Sequence, residues 1–248
     1  MIQVQGLSKS FGKVRAVKDL SFTVEPGEIY GLLGPNGAGK TTTLRILATL
    51  LRADRGSATV DGWDISKQPE KLRANIGVVN GGMGLYERLT GREILHYFGR
   101  LYGMSFERIE GRIRELDNIL KLSDTLPRRA GGYSTGMKQK IVVARAVLHD
   151  PPVIFFDEAT AGLDVMARRA LLNFVKEYPG RDRAVIYSTH VMSEVEEVCD
   201  RAGIIFEGEK IADGSIPELL TTGGASSLEQ AFFNLVEQRT RSTEGVAA

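Results

Sequence analysis

The sequence predicts an α/β fold: a mostly parallel sheet with helices on both faces, interrupted by an all-helical insertion. Three observations predict it. Short apolar runs, Ile29 to Leu33, Val153 to Phe156 and Ala184 to Tyr187, alternate with segments of helical spacing, as strands buried on both faces do. A glycine-rich loop joins the first of these runs to a helix. The stretch from Thr90 to about Leu122 carries only helical periodicity.

Residues 1 to about 30 read as short alternating strands, with Ile2 and Val4, then Leu20, Phe22 and Val24, ending at the turn Pro26-Gly27. Thr42 to Leu51 reads as a helix with Leu44, Leu47, Leu50 and Leu51 on one face. Ser57 to Gly62 is a strand entering a turn, and Ile76 to Val79 a short buried strand. Thr90 with Glu93 forms a capping box for the insertion. There Ile94, Leu95, Phe98, Leu101 and Tyr102 share one face, and Ile109, Ile113, Leu116 and Leu120 another. A helix over Val165 to Tyr178, the strand-like Ile204-Ile205-Phe206, the turn Glu207-Gly208-Glu209 and an amphipathic helix over Ser227 to Val236 complete the chain. The polar end, Arg239 to Ala248, is expected to be disordered.

Composition narrows the possibilities. With 248 residues, 42% hydrophobic and 25% charged, the chain can bury a substantial core. A net charge of +1 gives no bulk attraction to nucleic acid or anionic lipid. No apolar run approaches the ~20 residues of a membrane span, and Met1-Ile2-Gln3-Val4 does not open a secretory signal. A single cysteine, Cys199, excludes an internal disulfide and reads as buried helix filler. A cytoplasmic protein is expected.

The loop Gly34-Pro35-Asn36-Gly37-Ala38-Gly39-Lys40-Thr41 fits the spacing Gly, four residues, Gly-Lys-Ser/Thr, with a strand before it and a helix after. Glycines let backbone N–H groups turn inward around phosphate oxygens, and the helix N-terminus adds positive potential. Lys40 is placed to reach the β- and γ-phosphates and the Thr41 hydroxyl to sit on Mg²⁺. The motif implies a bound nucleoside triphosphate, with Thr42 opening the helix beside it. A second site follows. Val153 to Phe156 ends in Asp157-Glu158, two carboxylates at the carboxyl edge of the sheet. Asp157 suits Mg²⁺, and Glu158 then points toward the γ-phosphate, where it can polarise water. His190 ends another strand, and on its own a satisfied structural role is the stronger reading. His96 and His149 read the same way.

Taken together the motifs resemble the ATP-binding cassette (ABC) ATPases, the nucleotide-binding subunits of ABC transporters, over about residues 2 to 220. Tyr133-Ser134-Thr135-Gly136-Met137 is similar to the family signature LSGGQ: Ser134 and Gly136 match, while Tyr, Thr and Met replace Leu, Gly and Gln. The resemblance implies a phosphate-loop NTPase core of ABC type over 1–220. That core would carry an N-terminal antiparallel β subdomain and a helical subdomain inserted at about 82–150, followed by a C-terminal helix at 221–238 and the tail 239–248. It also implies that adenine stacks on Phe11, although a plain core phenylalanine beside a turn remains open. Ala161-Gly162-Leu163-Asp164 is similar to the loop that touches a partner subunit, and the resemblance turns His190 into a γ-phosphate contact. Two chains are expected to close head to tail, each ATP lying between one phosphate loop and the other chain's Ser134 and Gly136.

One departure stands out. Gly81, after Asn80, occupies a position that the family usually fills with Gln, so either Asn80 substitutes or that contact is missing. The loop Gly81-Gly82-Met83-Gly84 is then expected to be a flexible hinge. A separate transmembrane permease subunit is expected to dock near Met83 to Leu89 and hold the chain on the inner face of the membrane. The segment Gly84 to Thr90 resembles the branch containing sodium-efflux and drug- or polysaccharide-export ATPases, the sodium-export type most closely. A non-transport ABC ATPase acting on the ribosome or nucleic acid is the alternative, against which near-neutral charge and a single cassette weigh. A catalytically dead regulator is disfavoured by Lys40, Asp157, Glu158 and His190.

Overall fold

Apolar strands of two kinds sort themselves into two sheets in the computed structural model, which describes residues 1–244, with side chains through Arg241. Alternating strands form a four-stranded sheet: β1 (Ile2–Phe11), β2 (Val14–Val24), β4 (Arg55–Val60) and β5 (Trp63–Asp64), in the order β2-β1-β4-β5 with antiparallel pairing. Continuously apolar strands form the second sheet: β3 (Ile29–Leu33), β6 (Ile76–Asn80), β7 (Val153–Asp157) and β8 (Ala184–Thr189), extended by β9 (Arg201–Phe206) and β10 (Glu209–Ser215). Its order is β10-β9-β3-β8-β7-β6, parallel except for the β9–β10 edge hairpin. The expected α/β class is therefore what the chain adopts. The first hairpin is built from strands of 10 and 11 residues rather than several short pieces, with bulges re-aiming β1.

The central strands feed two cores. Tyr30, Leu32, Val153, Phe155 and Ile186 face one with Leu44, Ile46 and Leu47 of α1 (Lys40–Leu47) and the antiparallel sheet. Ile29, Leu33, Ile154, Phe156, Val185 and Tyr187 face the other. That core is filled from α3 (Gly91–Leu101), α4 (Phe106–Leu120), α5 (Thr135–Val147), α6 (Val165–Glu177) and α7 (Met192–Val198). The short α2 (Pro69–Ala74) precedes β6, and α8 (Ile216–Thr222) and α9 (Leu228–Glu244) follow β10. Every residue of β3, β7 and β8 is buried, and burial stabilises by about 25 cal/mol per Å² of apolar area.

The helical segment behaves as its capping predicts: Thr90 Oγ1 accepts from Glu93 N at 3.2 Å, and Glu93 Oε2 accepts from Thr90 N at 2.7 Å. Ile109, Ile113, Leu116 and Leu120 are buried. Several expectations need correction. The helix read as Thr42 to Leu51 stops at Leu47, because Thr49 turns left-handed at φ 62° and Leu50 and Leu51 both donate to Arg45 O. Leu50 is consequently 65% exposed. Leu101 at the end of α3 is also exposed, and Tyr102 leaves the core to stack on His149 with 3.7 Å between ring centroids. The C-terminal helix expected at 221–238 is instead two helices broken at Gly223 and Gly224. The second, α9, runs on through 239–244, where a disordered tail was expected, held by Thr240 Oγ1 donating to Val236 O and by the Arg241–Glu237 pair. The remainder of that tail, 245–248, lies outside the described residues. Cys199 is buried at the C-cap of α7 rather than within a helix, and burial pushes its thiol up.

Candidate functional site

Parallel strands end together, so the residues that follow β3, β7 and β8 meet at one edge of the sheet. The loop after β3 is fixed by glycines with no room for a side chain. A Cβ on Gly34 would lie 2.1 Å from Ile205 O, and one on Gly39, at φ 107°, 2.3 Å from Ala16 O. Pro35, Asn36 and Gly37 form the outer, more exposed part of the loop, and Ala38 is buried beneath it with its carbonyl accepting from Gly208 N at 3.0 Å. No side chain caps α1, and no acid stands in its first turn. The N–H groups of Lys40, Thr41 and Thr42 therefore present a row of donors suited to phosphate.

Lys40 is 3% exposed, and its ammonium donates to Gly34 O at 2.7 Å and Pro35 O at 3.1 Å. It also lies 3.3 Å from Glu158 Oε1. The other Glu158 oxygen meets His190 Nδ1 at 3.1 Å, so Glu158 sits between lysine and histidine. Its backbone is left-handed at φ 49°, held by Glu158 N donating to Ser188 O at 2.9 Å. Asp157 Oδ1 accepts from the Thr41 hydroxyl at 2.9 Å and from Ser188 Oγ at 3.2 Å. Burial pushes the Asp157 carboxyl above its ordinary range, opposed by these two hydrogen bonds. A hydroxyl beside a carboxylate is the hard-oxygen donor set that Mg²⁺ takes, so Thr41 and Asp157 fit that ion.

The structure thus brings together Lys40 and Thr41 from the start of α1, Asp157 and Glu158 from the end of β7, and His190 from just after β8. Ser134, Gly136 and Asp164 gather elsewhere. Ser134 N-caps α5 by accepting from Met137 N, Asp164 N-caps α6 by accepting from Ala167 N, and a Cβ on Gly136 would stand 3.2 Å from Ala167 Cβ and 3.9 Å from Asp164 Oδ2. Tyr133 is anchored rather than merely tolerated: its hydroxyl shares its proton between Thr125 O at 2.7 Å and Arg128 O at 2.9 Å. Phe11 ends β1 49% exposed with Lys9 Nζ 5.6 Å from its ring centroid, so the plain core reading of this residue does not hold. His96 pairs with Glu110 at 2.6 Å. His149 is half-buried, with burial lowering its pKa to about 4.

Gly81 is held tightly. Its N–H donates to Asp157 O at 2.9 Å, and a Cβ there would lie 2.3 Å from Glu158 O. Gly82 and Gly84 have nothing within 4 Å of a Cβ position. Sequence reasoning passed over Ser188 as a site residue. The signal was its place directly after the apolar run of β8, which the parallel register sets opposite Asp157.

The pattern that defines the ABC transporter family matches residues 17–161. The chain is 43% identical to the ABC transporter ATP-binding protein NatA of Bacillus subtilis (strain 168), over 89% of this chain and 90% of that one. It is 38% identical to the daunorubicin/doxorubicin resistance ATP-binding protein DrrA of Streptomyces peucetius, over 92% of this chain and 69% of that one. Among solved structures, an ATP-binding subunit of an ABC transporter superposes with a TM-score of 0.87 at 31% identity, covering 95% of this chain and 99% of that one. Since the cradle, the strand-end acids and the signature segment all fall within a match of this extent, the chain belongs to the ABC transporter family as an ATP-binding and ATP-hydrolysing subunit.

Proposed function

We propose that this chain is the motor of an exporter whose membrane-spanning part is a separate polypeptide. The observation that carries the reading is the position of Glu158, within reach of Lys40 on one side and His190 on the other. In this reading Lys40 and the N–H groups of the loop 34–41 bind the β- and γ-phosphates, and Phe11 stacks on adenine. Glu158 accepts a proton from the attacking water, and His190 contacts the γ-phosphate. Thr41 and Asp157 would hold Mg²⁺, which supplies charge neutralisation at the phosphate oxygens.

Gly136 is packed against α6 of its own chain and Ser134 caps α5, and among the described residues no hydrogen bond joins either to the cluster around Glu158. That separation supports a head-to-tail pair of chains, in which each signature segment and Asp164 complete the partner's site. The terminal phosphate then acts as an adhesive whose loss loosens the pair. A groove of about 410 Å³ between the end of α1, β6 and α3 is lined by Leu50, Met83, Phe98, Tyr102 and Arg145 among others. We assign it to the permease, which would hold the chain at the inner face of the membrane. Among the described residues no helix is long and apolar enough to cross a bilayer. Cargo of the sodium or drug-like kind is read from the branch to which the sequence is most similar, and the permease selects it.

The test is Glu158→Gln. Turnover should fall roughly 10²–10⁴-fold, the range expected for loss of a general base, while ATP-driven pairing of chains persists in size-exclusion chromatography. Normal hydrolysis by this variant would refute the assignment of the base, and a chain that stays single with hydrolysis blocked would refute the pairing.

A further inference from the structure

Behind His190 lies a carboxylate that the proposed hydrolytic chemistry does not use. Glu194, in the first turn of α7, is 1% exposed, and both its oxygens are engaged. Oε2 accepts from the Tyr187 phenol at 2.9 Å and from the Thr189 hydroxyl at 2.8 Å, and Oε1 pairs with Arg168 Nε at 3.0 Å. The Thr189 hydroxyl in turn accepts from Val191 N at 3.1 Å, so its contacts bracket His190 on both sides. The Tyr187 phenol also lies beside Thr160, two residues beyond Glu158, and Arg168 projects from α6, the helix capped by Asp164.

A carboxylate buried this deeply is costly unless its lone pairs are satisfied, and here three donors converge on it. A fully satisfied buried network is stiff. The His190 side chain, by contrast, is 46% exposed, and its hydrogen-bond partner among the described residues is Glu158. What fixes the imidazole is therefore the backbone on either side of it. We propose that Glu194 is the positioning residue for His190. Through the Thr189 hydroxyl it sets the backbone that presents the imidazole to Glu158. Through Tyr187 and Arg168 it fastens that loop to the segment following Glu158 and to α6. The inference rests on the assignment of His190 to the γ-phosphate side of the site.

The test is a double-mutant cycle on steady-state ATP hydrolysis by the full chain. Glu194→Gln keeps the side-chain volume and removes the charge that pairs with Arg168. In the otherwise unaltered chain it should lower kcat roughly 10–100-fold, the scale of a small misplacement, with KM for ATP nearly unchanged. In a His190→Ala background the same substitution should change kcat less than about twofold, because no imidazole is left to misplace. Thr189→Val should reproduce the loss, and Thr189→Ser, which keeps the hydroxyl, should restore it. Equal fold-losses in both backgrounds, or a loss carried by KM, would overturn the proposal while leaving His190 in its role. A His190→Ala variant with full turnover would remove that role, and this inference with it. If Glu194→Gln does not fold, Thr189→Val and Tyr187→Phe decide by the same comparison.

Discussion

Replacing Gly81 with alanine should damage hydrolysis without damaging nucleotide binding. A Cβ at this position would lie 2.3 Å from Glu158 O, against an ordinary C···O contact of about 3.3 Å. One of the two backbones must therefore yield by about 1 Å. Gly81 is tied to Asp157 O, and Glu158 is tied to Ser188 O with a left-handed backbone, so neither segment is free to absorb the shift alone. The displacement falls on a carboxylate whose useful contacts are 3.3 Å to Lys40 and 3.1 Å to His190. A misplacement of that size costs up to about 10²-fold in rate, or about 3 kcal/mol of barrier. The assay is steady-state ATP turnover beside affinity for a fluorescent ATP analogue. Gly84→Ala serves as comparator, since nothing lies within 4 Å of its Cβ position. Turnover within twofold of the unaltered chain would refute the reasoning. Gly81→Gln should be at least as damaging. A gain of activity from it would mean that the missing side chain is a lost contact and that close packing is incidental.

Two predictions concern stability. His149 keeps a pKa of about 4 when folded, mainly through burial, against about 6.5 for a free imidazole. The unfolded chain therefore binds the proton first, so this contribution is complete above about pH 6.5 and disappears as pH falls toward 4. It amounts to at most about 3 kcal/mol, and His149→Phe, which retains a ring to stack on Tyr102, should flatten the melting-temperature profile between those limits. A profile unchanged by the substitution would assign the acid lability to other groups. Thr90→Ala removes one half of the capping box and should cost about 1 kcal/mol, a drop of about 2–4 °C for a chain of this size. Thr90→Ser should recover most of it, and equal melting temperatures for all three chains would count against the cap.

The class of fold was legible because strands buried on both faces need unbroken apolar runs, and Ile29–Leu33 and Val153–Phe156 are such runs. The conformation of the loop 34–41 was legible because its glycines answer a backbone requirement, seen at Gly34 and Gly39, that few other residues can meet. Boundaries were less so. Nothing in Leu50 or Leu51 announces that Thr49 turns left-handed, and leucine spacing alone carried the helix too far. The polar residues 239–241 gave no apolar periodicity, yet local hydrogen bonds and an i,i+4 pair continue the helix through them. The partners of a side chain across the sheet were invisible as well. Ser188 meets Asp157 only because the register of β7 and β8 makes them neighbours, and sequence separation hides that. Gly81 was noticed for the side chain it lacks, whereas the structure shows a backbone approach that leaves no space for one.

The phenol of Tyr133 has a mechanical consequence. Its hydroxyl rivets the signature loop to the turn at Thr125 and Arg128, and a Cβ on Gly91 would stand 2.6 Å from that oxygen, so the start of α3 is locked to the same point. The signature segment and the start of α3 are thus fastened to the same turn, the helix also by Gly91 N donating to Arg128 O at 3.2 Å and Arg92 N to Leu126 O at 3.1 Å. A leucine in place of Tyr133 could fill the space but could not tie the loop to the Thr125 and Arg128 carbonyls.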